Sequence, residues 1–311
     1  MPFQFRQVGA LALTGSLLAA CSTVPPHIAL PDPARDKIVS TEVVNSIKQH
    51  EIYVYVPPST AGASGGAAFG FLGAVVGAVI DSSVNEVRSE KAETAVKSLR
   101  DAMVDYNFDD KLSADLKDQL SQVGFLGVDK VRVTRESTLD GIDKDIAGST
   151  DGAILLAVTD YKLDNDANRL TMAVGVGLYA NNDALRALHP SKEKKNRTAP
   201  PNALYRNTFV FVTRLDGLTG DRDKNIAAWS ADHGAPARAA LEMGSKRIAA
   251  LIATDIALKE GEGKPPADAP VAKVVGIAGF PLEGSVIGSD ADGKIVRFTD
   301  GTLAYVTTPA L

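Results

Sequence analysis

The chain has a single cysteine, Cys21, in 311 residues, so no disulfide within the chain can support it and its stability must come from packing. It has only four histidines, His27, His50, His189 and His233, and no two of them stand three or four residues apart. The usual spacing of a zinc site is missing, and no metal or other cofactor is expected. Basic charge is not in excess either: 33 Lys and Arg face 38 Asp and Glu, for a formal net charge of -5, which speaks against bulk nucleic-acid binding. No period of 20 to 50 residues recurs, which excludes solenoids and propellers. The one tryptophan, Trp229, in the short stretch 227–231, is expected in the core rather than as a ligand platform. What the chain does have is 45% apolar residues, enough for one larger domain with appendages.

Its N-terminus is the most specific region. Arg6 precedes a short apolar run that is too brief to span a bilayer, and small residues then lead into Cys21, which is the layout of a secretory signal over residues 1–20. Leu18-Ala19-Ala20-Cys21 resembles the lipobox of bacterial lipoproteins. That resemblance implies cleavage before Cys21, diacylglycerol on its sulfur and an acyl chain on the new amino group. Ser22, where an aspartate would imply retention at the inner membrane, implies passage to the outer membrane. Several acyl chains at about 0.8 kcal/mol per buried CH2 make such an anchor effectively permanent. Pro25, Pro26, Pro31 and Pro33 then favour extended backbone, so residues 21–40 are expected to form a lipidated, proline-rich stalk.

Residues 61–80 carry no charge, and Gly62, Gly66, Gly70, Gly73 and Gly77 follow at helical spacing. At 100° per residue these five glycines lie within a stripe of about 80°, a glycine zipper that lets a second helix approach closely. Only seven of the twenty residues are large apolar ones, so the segment would insert weakly as a lone membrane helix. Tight helix packing is the expectation, within the domain, between copies of the chain or against a membrane. Ser83-Val84-Asn85-Glu86 has capping-box form and predicts a new helix, with Ala92, Val96, Leu99 and Met103 on one stripe and Glu93 paired to Lys97.

Further on, Leu112, Leu116, Leu120 and Val123 predict a helix closed by Gly124, and 131–133 a short strand. Strands over 154–163 and 170–178 are expected to form a hairpin, a third covers 205–215, and Pro236 opens a long helix reaching Lys259. The pattern reads as an α+β domain over 41–260, an antiparallel sheet with helices on one face. Residues 261–270 are a linker, and 271–311 form a small module of β-hairpins turned at Asp292-Gly293 and Asp300-Gly301.

Three motifs have a plainer explanation than chemistry. Gly62-Ala63-Ser64-Gly65-Gly66 matches the G-x-S-x-G nucleophile elbow, and Asp232-His233 could supply triad partners, but the zipper already accounts for the glycines and too few strands precede Ser64. A serine hydrolase is therefore the remote alternative. Gly175-Val176-Gly177-Leu178-Tyr179-Ala180 has the dinucleotide-binding spacing, yet it lies inside an alternating strand, where glycine marks a bulge or close backbone approach. Asp164, Asp166 and Asn168 imitate the start of an EF-hand, but Arg169 occupies the glycine position and a hairpin turn suffices. Lys192, Lys194, Lys195 and Arg197 form a basic loop that could meet lipid phosphates or an acidic partner.

In its order of elements, from about residue 50 to 258, the chain loosely resembles the transport-auxiliary lipoproteins, the activator lipoproteins of penicillin-binding proteins and the curli secretion lipoprotein. The resemblance implies a non-catalytic outer-membrane lipoprotein facing the periplasm, with an envelope protein or peptidoglycan as partner. The zipper supplies the alternative, a homo-oligomeric, membrane-contacting pore or secretion component.

Overall fold

The computed structural model describes residues 27–47, 49–56, 86–136, 139–188, 203–275 and 281–310. Helix α1 (Asp32–Arg35) leads into strand β1 (Thr41–Ile47) and the two-residue strand β2 (Tyr53–Val54). Helices α2 (Glu86–Ala102) and α3 (Phe108–Ser121) follow, then β3 (Val128–Thr134) and helix α4 (Leu139–Gly148). The long strands β4 (Ala153–Leu163), β5 (Leu170–Ala180) and β6 (Ala203–Thr213) form the centre, with the one-turn helix α5 (Asp183–Arg186) after β5. Helix α6 (Arg222–Ala257) precedes β7 (Val271–Val275), β8 (Pro281–Ser289), β9 (Gly293–Arg297) and β10 (Leu303–Thr307).

All ten strands share one sheet in the order β3-β1-β4-β5-β6-β10-β9-β8-β7, with β2 beside β4. The architecture is α+β and the small C-terminal β module is present. Helices α2, α3 and α6 cover one face, where Val96, Leu99, Leu112, Leu116, Leu120, Leu241, Ile248 and Ile252 pack on Leu155, Tyr161, Met172 and Phe211. The module is not separate from the main sheet: β10 pairs in parallel with β6, Leu303 opposite Phe209. Strands β7 to β9 then curl over the other face, so that Ala272, Val274 and Val296 bury Ala173, Val210 and Val212 in a second core.

The pairing is mostly antiparallel, but β1–β3, β1–β4, β2–β4 and β6–β10 are parallel. Parallel neighbours need long crossovers, which here contain the helices. Strand β1 is absent from the sequence reading for a physical reason. It is buried on both faces, so polar Thr41, Glu42, Asn45 and Ser46 interrupt any alternation, and their partners come from distant segments. Asn45 Nδ2 donates to Ser113 Oγ at 3.3 Å, and its Oδ1 accepts from Thr159 Oγ1 at 3.2 Å.

The hairpin of β4 and β5 pairs in register from Ala153–Ala180 to Leu163–Leu170. Its turn is built by Asp164, whose Oδ1 accepts from the backbone N–H of Asn168 and Arg169 at 2.6 and 3.2 Å, as a hairpin turn requires. Gly177 lies inside β5, and a Cβ there would come within 2.7 Å of the Tyr179 ring, so the glycine admits a close side chain. On α2 the surface pairing differs from expectation: Lys97 binds Asp101 at 2.5 Å, while Glu93 goes to Arg100. Arg100 also donates to the Ile52 carbonyl at 2.8 Å, which ties α2 to β2 and draws its guanidinium away from an ordinary surface position.

Helix α6 is two helices joined across a break at Ala231–Gly234. Pro236 stands near the start of the second, which ends with Leu258 as C-cap. Asp232, His233 and Gly234 take left-handed backbone in succession, with φ of 48°, 58° and 77°. Arg238 holds the break: its guanidinium donates to the His233 carbonyl at 3.1 Å and the Ala102 carbonyl at 2.7 Å, and pairs with Asp105. Gly234 is required here, because a Cβ would lie 2.9 Å from Met103 and 3.3 Å from the Ala102 carbonyl oxygen. Gly234→Ala should therefore cost about 1–3 kcal/mol from left-handed strain and overpacking, read as a lower denaturation midpoint with unchanged m-value.

Candidate functional site

Within the segment expected as a stalk, the described residues 27–40 do not stand free of the domain. From His27 onward the chain is built into the domain: Ile28 pairs with Arg206 on β6 through two backbone hydrogen bonds of 2.9 Å, and Leu30, Ala34 and Ile38 are buried. The proline content favoured extension, but Leu30, Ala34 and Ile38 join the main core and Ile28 packs on a smaller cluster of Val44, Ile154, Leu156, Tyr179 and Ala203. Releasing them would expose Leu30 and Ile38 at about 2 kcal/mol each. Arg35 seals the junction by donating to the carbonyls of Ala257, at 3.2 Å, and Leu258 at the C-terminus of α6, with its guanidinium 4.6 Å from the Phe125 ring centre. Cys21 itself and residues 22–26 lie outside the described residues.

At this junction four parts of the chain meet on one carboxylate. Asp255, on the last turns of α6, has a side chain only 1% exposed. Its Oδ1 accepts from Arg297 on β9 at 2.7 Å, and its Oδ2 accepts from Tyr205 Oη and Asn207 Nδ2 on β6, each at 2.8 Å. His27 Nε2 stands 3.6 Å away, an ion-pair distance rather than a hydrogen bond. Burial pushes the carboxyl pKa up, but His27, Asn207, Arg297 and Tyr205 together outweigh it and hold it at about 2. Burial and the adjacent carboxylate push Tyr205 well above its ordinary value, so its phenol remains a donor. The cluster clamps helix, sheet, C-terminal module and N-terminal segment together.

A second polar feature is a charged cavity of about 460 Å³ beside the β3 edge, lined by Glu42, Lys130, Arg132, Lys144, Gly148, Ser149 and Thr150. Register sets Lys130 opposite Glu42 and Arg132 opposite Val44, on the face away from α2, α3 and α6. Helix α4 contributes Lys144 on that same side, so it does not share the face of the other long helices. Arg132 Nε pairs with Glu42 at 2.8 Å and Lys130 with Asp151 at 3.1 Å. Lys130 is raised by its contact with Asp151 and the nearby Glu42. With Asp151 beside Lys130 and Glu42 beside Arg132, three cations face two carboxylates, and the remaining positive charge suits an acidic group rather than a cation.

At the opposite end of the strands, Lys162 is fully buried, 2.8 Å from Asp160 and under the rings of Tyr53 and Tyr55, at 5.6 and 5.3 Å. Tyr53 Oη donates to Asp160 at 2.8 Å, and burial followed by the Asp160 charge raises its pKa. This cluster fixes β2.

The other sequence candidates fall as follows. Gly62, Gly66, Gly70, Gly73 and Gly77, Ser64, and Lys192, Lys194, Lys195 and Arg197 lie outside the described residues. Asp232 and His233 are exposed in the break of α6, where the His233 carbonyl is bound by Arg238. Trp229 is fully buried, with its indole N–H donating to the Ala167 carbonyl at 2.9 Å. The Asp255 cluster was missed, because an aspartate in a helical stripe has no local mark of its partners on β6 and β9. Among the described residues no group of three or more His, Cys, Asp or Glu could hold a metal ion, and no helix is long and apolar enough to cross a membrane. No protein-family model matches the chain, and no curated protein matches it significantly.

Proposed function

We propose that this chain is a non-catalytic lipoprotein of the bacterial outer membrane, anchored by lipid on Cys21, whose α+β domain faces the periplasm and binds an envelope protein or peptidoglycan. The lipobox-like Leu18-Ala19-Ala20-Cys21 is the observation that carries the reading. Its support in the fold is the docking of residues 27–38, which gives a lipid tether a fixed point of departure from the domain. The cavity at Glu42, Lys130, Arg132 and Lys144 suits acidic groups such as the carboxylates of a stem peptide. No cofactor enters this reading.

Cys21→Ala removes the only thiol, so a fatty-acid analogue should no longer label the protein and it should leave the outer-membrane fraction. Continued labelling and continued outer-membrane fractionation would refute the anchor. Ser22→Asp should shift the protein toward the inner membrane.

Oligomerisation through the glycine stripe is the second reading, favoured by five glycines at helical spacing in an uncharged segment. Under it, Gly70→Leu combined with Gly73→Leu should abolish a cross-linked oligomer ladder in intact envelopes while acylation persists. An unchanged ladder, with unchanged thermal stability, removes this reading.

A further inference from the structure

We propose that the end of the domain formed by His27, the turn around Thr299–Gly301 and the loop around Gly263 lies against the membrane surface that holds Cys21. The inference rests on the lipid-anchor reading and adds an orientation to it. Six Cα steps separate Cys21 from His27, and a fully extended chain covers them in at most about 20–22 Å. That length is an upper bound because His27 is itself docked: its side chain packs on Gly301, where a Cβ would come within 2.4 Å of His27 Cβ, and Ile28 is paired to β6.

The position of this junction within the fold sets the orientation. The second half of α6 runs from the break near Pro236, beside the C-terminus of α2, to Asp255 at the junction. At 1.5 Å per residue its length is about 30 Å, which exceeds the tether. The break, the β4–β5 turn that binds Trp229 and Arg222, and the start of α6 all belong to the far end. A pose with the far end down would hold His27 about 30 Å from the lipid, beyond the reach of the tether, so the tether excludes that inverted pose and favours those with the His27 end toward the lipid. Charge does not drive the contact, since Lys259 and Lys264 are interspersed with Glu260, Glu262 and Asp300. The partner is the lipid surface itself, held there by the tether, with no requirement for anionic headgroups.

The test uses the acylated full-length protein in phosphatidylethanolamine vesicles, with and without phosphatidylglycerol, containing a spin-labelled phospholipid. Thr299 and Lys224 are both exposed, one at each end, and Cys21 carries lipid, so Thr299→Cys and Lys224→Cys can each take a thiol-directed fluorophore cleanly. The label at 299 should be quenched severalfold more strongly than the label at 224, equally in both lipid mixtures. Inserting a flexible Gly/Ser spacer of about twelve residues before His27 should erase the difference. If the acylated protein floats with the vesicles but both labels are quenched alike, or 224 more strongly, the orientation is wrong and the anchor stands. If the protein does not float with vesicles at all, the anchor reading fails and the orientation with it.

Discussion

Replacing Asp255 by alanine should destabilise the domain by about 3–5 kcal/mol, because it removes one partner of a buried ion pair and leaves the other without compensation. Arg297 is 8% exposed and would retain its charge, while Tyr205 Oη and Asn207 Nδ2 would lose their acceptor inside the core. The same carboxylate gives an acid signature. Its pKa is held at about 2 in the folded protein against 3.8 in a free side chain, so its contribution is full above about pH 4 and is lost as pH falls through 2. The stability at stake in that window is about 2 kcal/mol. Denaturant titrations of the wild type should therefore show stability falling between pH 4 and 2, with part of the fall missing in Asp255→Asn. A wild-type-like midpoint for Asp255→Ala at neutral pH would show that the clamp is dispensable.

Trp229→Ala should cost a similar amount, about 3–5 kcal/mol, for a different reason. Here the loss is volume: the indole is fully buried between the first half of α6 and the β4–β5 hairpin, and a close-packed interior relaxes only partly into the space left. The Ala167 carbonyl, at a residue with φ of 53°, also loses the donor that stands 2.9 Å away. Trp229→Phe keeps most of the ring and should cost about 1–3 kcal/mol, chiefly for the unpaired carbonyl. Since Trp229 is the only tryptophan, the comparison must be read by circular dichroism rather than intrinsic fluorescence. Equal midpoints for Trp229→Ala and the wild type would mean that this joint bears no load.

What the sequence alone determined is local. The leucines at 112, 116 and 120 recur every four residues and all are buried on α3. The alternation of 170–178 and the polar turn before it gave the β4–β5 hairpin, because both halves and their turn are contiguous. Cys21 and the residues before it gave the expected address in the same way, as a short contiguous pattern. Tertiary structure decided whatever depends on partners remote in the chain. It placed β1 between two parallel neighbours, docked the proline-rich segment from His27 to Ile38, and joined the C-terminal module to β6. It also gathered His27, Tyr205, Asn207 and Arg297 around Asp255. Periodicity records which face of an element is apolar, but not which distant element will cover it, and a polar residue carries no local sign of the buried partner that will satisfy it.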